Sequence, residues 1–179
     1  MGWFNRPKLD IAALVDAHYG ALYRYAFRLS GTAQEAEDLT QDTFCQAQAK
    51  LHQLREADRA RSWLFAILRN AYFQRLRSGR LEKQVELDDV DEIPDRLPEP
   101  LPVVDSAQLQ AALNELPEVF RTVVVLYYFE EFSYRDIADQ LNIPLGTVMS
   151  RLARAKTYLR ERLTDQADLM EGASQEEVM

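Results

Sequence analysis

Residues 133–160, SYRDIADQLNIPLGTVMSRLARAKTYLR, place cations on a helix that has a reason to be held at the surface. Ile137, Ala138, Leu141, Ile143, Val148, Leu152, Ala155 and Leu159 recur at helical spacing and predict one apolar seam shared by two short helices. Asn142 falls between them, where a left-handed backbone is needed and Asn is the best choice after Gly. Pro144 suits the first turn of the second helix. That helix directs Thr147, Ser150, Arg151 and Arg154 away from the seam, with Arg135 and Lys156 placed as backbone contacts. From 145 to 160 there are four basic residues and no acid. This is the arrangement of a helix-turn-helix whose second helix reads a major groove. The same period also fits a helical hairpin packed only on its own core.

A second basic stretch has different chemistry. Between 59 and 77 there are five arginines and no acid. Arg59, Arg61, Trp63, Arg69, Asn70, Gln74 and Arg77 supply guanidinium groups for phosphates, amides for base edges and an aromatic ring for stacking. Trp63 and Phe73 could instead complete a core. A third set, Asp38, Gln41, Asp42 and Cys45, lies at i, i+3, i+4 and i+7 and makes a polar stripe on one helix. An ordinary solvated face has the same pattern. Paired carboxylates also raise acid–base catalysis, but no nucleophile or pocket signature accompanies them, so an enzyme is not expected. One cysteine and two histidines leave no disulfide framework and no metal-ligand cluster, and no cofactor is expected.

The elements that must position these groups are helical. Ile11, Leu14, Val15, His18, Leu22, Tyr25, Ala26 and Leu29 predict a helix over 10–30. Thr32 and Glu35 resemble a capping box for a second helix, 33–52, with Ala36, Leu39, Thr43, Ala47 and Leu51 inward. Residues 52–60 read as a loop, and 61–78 as a third helix burying Leu64, Ile67, Leu68, Ala71 and Leu76. Residues 79–106 hold four prolines and nine acids and read as a flexible linker. Ser106 is placed as the cap of a helix with Leu109, Ala112, Leu113 and Leu116. Pro117 opens the next, with Phe120, Val123, Val124 and Tyr127. VVVLYYF (123–129) reads as core, and the acidic tail from 164 as frayed. The fold class is all-α, in two small helical domains: 1–78, then, after the linker, 107–163, followed by the tail 164–179.

The net charge of −8 is unevenly spread: +3 over 1–78, −6 over 79–106, zero over 107–163 and −5 over 164–179. Local patches rather than the total decide nucleic-acid contact. No apolar run reaches membrane-spanning length, and MGWFNRPKLD lacks a hydrophobic signal core, so no membrane insertion and a cytoplasmic location are expected.

With these residues in view, the chain resembles an extracytoplasmic-function (ECF) RNA polymerase sigma factor of the sigma-70 family. HYGALYRYAFRLSG (18–31), AEDLTQDTF (36–44) and RSWLFAILRNAYFQRLRS (61–78) resemble region 2, and 113–163 resembles region 4. The resemblance implies a non-enzymatic initiation subunit that binds core polymerase, reads the upstream (−35) and downstream (−10) promoter elements and assists melting. It implies that Asp38, Gln41 and Asp42 meet the clamp helices of the largest polymerase subunit. It places the arginine stripe of 59–77 on the −10 element and the helix-turn-helix on the −35 element, with a base-capturing loop at 52–60. An edge of 123–129 would meet the polymerase flap, and an anti-sigma factor is implied as a further partner. Gln48, Gln74 and Asn142 depart from the residues usual at their positions: a tryptophan, an acid and a glycine. The competing readings are a stand-alone helix-turn-helix regulator and a helical interaction protein. The all-helical 1–78 lacks the strand–helix alternation of a receiver domain, and the basic stripes argue against the interaction protein.

Overall fold

The computed structural model describes residues 10–79 and 106–176, with side chains to 78 in the first stretch and to 164 in the second. The interior of the predicted linker, 80–105, lies outside the described residues. Two compact units are present, one within Met1–Gln84 and the other within Val85–Met179. Among the described residues all regular structure is helical.

The first unit is built from α1 (Ile11–Ser30), α2 (Ala33–Lys50) and α3 (Ala60–Gly79), each packed on the other two. Leu22, Tyr25, Ala26 and Leu29 on α1, Ala36, Leu39 and Ala47 on α2, and Leu64, Phe65 and Leu68 on α3 are excluded from solvent. Tyr25 and Phe65 meet with ring centroids 4.9 Å apart at the centre. Deleting a buried leucine from such a core costs about 2–5 kcal/mol. Ile11, Val15, His18, Leu51 and Leu76, predicted as inward, are only half-buried because they lie at helix ends or at the edge of the apolar arc. Gly31 ends α1 at φ 82°, a conformation that penalises a Cβ, and its N–H donates to the Phe27 carbonyl at 2.8 Å. The Tyr72 hydroxyl donates to the Leu29 carbonyl at 2.9 Å, tying α3 to the same helix end. Thr32 accepts from the Glu35 N–H at 3.3 Å, but the Glu35 carboxylate takes the Thr32 hydroxyl instead of its backbone N–H. One half of the expected box is therefore formed. The stretch 52–60 is not a plain loop: single 3₁₀ turns occupy Leu51–Gln53 and Ala57–Arg59, anchored by buried Leu54 and Ala60.

The second unit comprises α4 (Ser106–Glu115), α5 (Glu118–Val124), α6 (Tyr134–Leu141) and α7 (Leu145–Glu176). Ser106 is the first helical residue rather than the cap, since the helix begins one position earlier than its polar signal suggested. Pro117 sits before α5, and its carbonyl accepts from the Phe120 and Arg121 N–H groups. α5 runs into one π turn, Val125–Phe129. Within it Val125 and Leu126 are buried and Tyr127, Tyr128 and Phe129 half-buried, so 123–129 is core at its start and rim at its end. α4, α5 and α6 all pack on α7. Ser133 and Asp136 form a complete capping box on α6. The predicted frayed tail is helical in its backbone as far as Glu176; residues 165–176 contain no proline and are rich in Ala, Leu, Met, Glu and Gln.

Candidate nucleic-acid interface

Asn142 adopts φ 52° and ψ 48°, and its left-handed backbone turns α6 into α7. Ile143 then donates its N–H back to the Ala138 carbonyl at 3.1 Å. Ile137, Val148, Leu152, Ala155 and Leu159 are buried in the predicted seam, and Ala138, Leu141 and Ile143 are half-buried along it. The Pro144 carbonyl accepts from the Thr147 and Val148 N–H groups, starting α7 with Leu145 and Gly146 exposed and Val148 turned into the core. On this helix Thr147, Ser150, Arg151, Arg154 and Lys156 are half-buried, while Arg135 on α6 is exposed. The Ser150 hydroxyl donates to the Thr147 carbonyl at 3.1 Å, so it lies against its own helix. Burial lowers the pKa of Arg151, yet a guanidinium stays charged at any ordinary pH. The side chains that stand out furthest at the start of α7 are Leu145 and Met149, 43% and 39% exposed. Sequence reasoning passed over both; the available signal was an apolar pair four residues apart that does not belong to the seam.

α7 is held on its unit by a contact that the sequence did not reveal. Glu115, at the end of α4, accepts from Arg162 Nε at 2.8 Å and Nη2 at 2.9 Å, and from the Tyr158 hydroxyl at 3.0 Å. These hydrogen bonds, Arg162 first and Tyr158 next, hold the Glu115 carboxyl below the usual carboxylate range. Buried Arg121 donates from Nη2 to the Asn114 and Leu116 carbonyls at 2.7 and 2.9 Å, satisfying the end of α4. At the rim, Tyr127 stacks on Tyr134 with centroids 4.8 Å apart. Burial first, and then a hydrogen bond with Tyr127, push the Tyr134 hydroxyl up to about 12.

The first unit brings α2 and α3 side by side, and their polar residues share the surface. Asp38, Gln41, Asp42 and Cys45 are all exposed, as is Gln48. Asp42 is bonded by the Arg75 guanidinium of α3. Along α3 and its approach, Arg59, Asn70, Gln74 and Arg77 are exposed, whereas Arg61, Trp63 and Arg69 are half-buried. Arg59 pairs with Glu56 at 2.8 Å. Arg61 lies over the Phe65 ring at 4.9 Å from its centroid. Burial, with the Arg61 charge second, lowers the His18 pKa. Arg69 folds toward the helix surface, its Nε and Nη2 on Asn70 Oδ1 at 3.2 and 2.7 Å. Arg77 Nε donates to the Phe73 carbonyl at 3.3 Å. Trp63 is thus intermediate between the core and outward readings, and Phe73 is half-buried edge-on to Tyr72.

Among the described residues no group of three or more His, Cys, Asp or Glu could hold a metal ion, and no helix is long and apolar enough to cross a membrane.

The chain as a whole resembles known proteins of one family. Residues 14–82 match sigma-70 region 2, and residues 106–159 match sigma-70 region 4. The chain is 39% identical over 155 residues to the ECF RNA polymerase sigma factor SigE of Mycolicibacterium smegmatis, covering 84% of this chain and 60% of that protein. It is 35% identical over 156 residues to the ECF RNA polymerase sigma factor SigL of Mycobacterium tuberculosis, covering 86% of this chain and 88% of that one. Among solved structures it is similar to the sigma factor RpoE of Bartonella quintana in complex with the anti-sigma factor NepR. That match has a TM-score of 0.69 and 29% identity, over 87% of this chain and 97% of that one. Two sigma-70 regions in order, on a helical frame shared with such relatives, identify this chain as a member of the ECF RNA polymerase sigma factors.

Proposed function

We propose that this chain directs promoter-specific initiation as an alternative sigma factor, with its work divided between the two units. Residues 1–78 bind core polymerase and the −10 element, 79–106 link, 107–163 bind the −35 element, and 164–179 form an acidic tail. The observation that carries the reading is the coexistence of regions 2 and 4, which a stand-alone regulator does not need.

Asp38, Gln41 and Asp42 form an exposed acidic and amide face on α2, suited to basic residues of the clamp helices. Arg59, Arg61, Trp63, Arg69, Asn70, Gln74 and Arg77 serve the −10 element, with the exposed members reaching DNA first. Arg135, Thr147, Ser150, Arg151, Arg154 and Lys156 serve the −35 element through α6 and α7. The rim of 123–129 faces the flap. The protein works beside DNA in the cytoplasm. An anti-sigma factor restrains it, as NepR is found with the similar RpoE. The reading is tested by binding purified chain to core polymerase from a bacterium. Stable, stoichiometric assembly that survives gel filtration is expected, and a chain that elutes alone contradicts it.

A further inference from the structure

We propose that Met149, supported by Leu145, reads a thymine 5-methyl group in the upstream element and so sets base preference on one side of the recognition helix. This rests on the sigma-factor reading above.

Four large hydrophobic side chains are exposed among the described residues: Tyr19, Leu145, Met149 and Tyr158. Tyr19 stacks on Tyr23 and Phe44, and the Tyr158 hydroxyl is bonded to Glu115. Leu145 and Met149 are therefore the aliphatic members, and they lie one helical turn apart at the start of α7. A single exposed aliphatic residue needs no explanation. Two on the turn that the family presents to the major groove are a different matter.

The helical period fixes what surrounds them. Val148, Leu152, Ala155 and Leu159 define the buried arc. At about 100° per residue, Gly146, Ser150, Ala153 and Thr157 fall opposite that arc. All four are small, and a Cβ added to Gly146 would meet nothing within 4 Å. The groove floor can therefore approach the helix backbone closely. Met149 flanks this small row on one side. Arg154, five residues on and about 140° around the axis, flanks it on the other. Over the first turns of α7 the two sides thus differ: Met149 brings a soft thioether without a charge and Arg154 a guanidinium, while Lys156 follows on Met149's side two turns further along.

In the major groove thymine alone of the four DNA bases carries a methyl group, and apolar side chains recognise it. Methionine suits the contact because its unbranched chain adapts to the methyl position. Leu145, one turn earlier, covers the far side of that methyl and keeps water from it. A lysine or arginine at position 149 would contact phosphate or guanine instead, so the side chain present selects the base.

The test uses holoenzyme assembled from the full chain and a promoter selected by it from fragmented genomic DNA. Each thymine of the upstream element is replaced in turn by deoxyuridine, which lacks only the methyl. Wild-type affinity should fall roughly fourfold at one or two positions, the worth of one buried methyl. Met149→Ala should bind the thymine and deoxyuridine promoters equally, and Leu145→Ala should shrink the difference. Unchanged wild-type affinity at every substituted thymine, an upstream element without an A·T pair, or a methyl effect that persists in Met149→Ala each overturns the proposal. Failure to select any promoter overturns the sigma-factor reading, and this proposal with it.

Discussion

The Arg75 guanidinium of α3 bonds the Asp42 carboxylate of α2, joining the face proposed for the polymerase clamp to the stripe proposed for promoter DNA. Both side chains keep about half their surface in water, 41% for Arg75 and 53% for Asp42, so the bond is an exposed one. Exposed pairs of this kind contribute about 0–1 kcal/mol. Asp42 can therefore exchange Arg75 for a cation of the polymerase at little cost.

Reversing charge at the acidic face should separate binding from folding. Asp38→Arg with Asp42→Arg is expected to weaken core-polymerase affinity at least tenfold, about 1.4 kcal/mol. Thermal unfolding should shift by only a few degrees because both positions are exposed. Fluorescence anisotropy against core polymerase checks the first outcome and calorimetry the second.

Arg151→Ala and Arg154→Ala should each weaken binding to the upstream element. An arginine that reads guanine loses about 1–3 kcal/mol, and only where that base is present. One that touches phosphate loses affinity uniformly across sequences, with a shallower salt dependence. Footprinting titrations at two salt concentrations on wild-type and base-substituted promoters distinguish the two.

Asn142 holds the sharp turn of the helix-turn-helix at positive φ. Asn142→Ala should destabilise the second unit by about 1–2 kcal/mol, since a Cβ without a helpful side chain is strained there. Asn142→Gly should be close to neutral. Urea unfolding of the full chain measures both.

The Glu115 clasp should show in pH dependence. Arg162 and Tyr158 lower the folded-state pKa of Glu115 below its unfolded value. A depressed carboxylate contributes stability above the unfolded pKa and loses it as pH falls through the folded pKa. Wild type should therefore exceed Glu115→Gln slightly in stability at neutral pH, by less than about 1 kcal/mol for a partly exposed pair. The difference should vanish below the usual carboxylate range. Unfolding midpoints of both proteins across acid pH check the sign.

Much of this was legible because local rules and the fold agree. The period of Leu22, Tyr25, Ala26 and Leu29 names the α1 core directly, and Asn142 before Ile143-Pro144 marks a turn whatever surrounds it. What escaped depends on tertiary register. Arg75 reaches Asp42, and Arg162 reaches Glu115, across 33 and 47 residues. Nothing local distinguishes those arginines from their neighbours. Arg121 counted as one more cation in the sequence, yet it is buried as a helix-end donor. Leu145 and Met149 looked like ordinary apolar residues until their exposure was known. Exposure also divides the stripe of 59–77, where Arg69 folds onto Asn70 while Gln74 and Arg77 stay in water.

The central claim is tested most directly by transcription in vitro. Core polymerase freed of its own sigma subunits is given this chain and fragmented genomic DNA of the source organism, and the transcripts are sequenced from their 5′ ends. Discrete start sites that depend on the chain, and that share two spaced promoter elements upstream, are predicted. A start-site pattern identical to that of core polymerase alone would contradict the account.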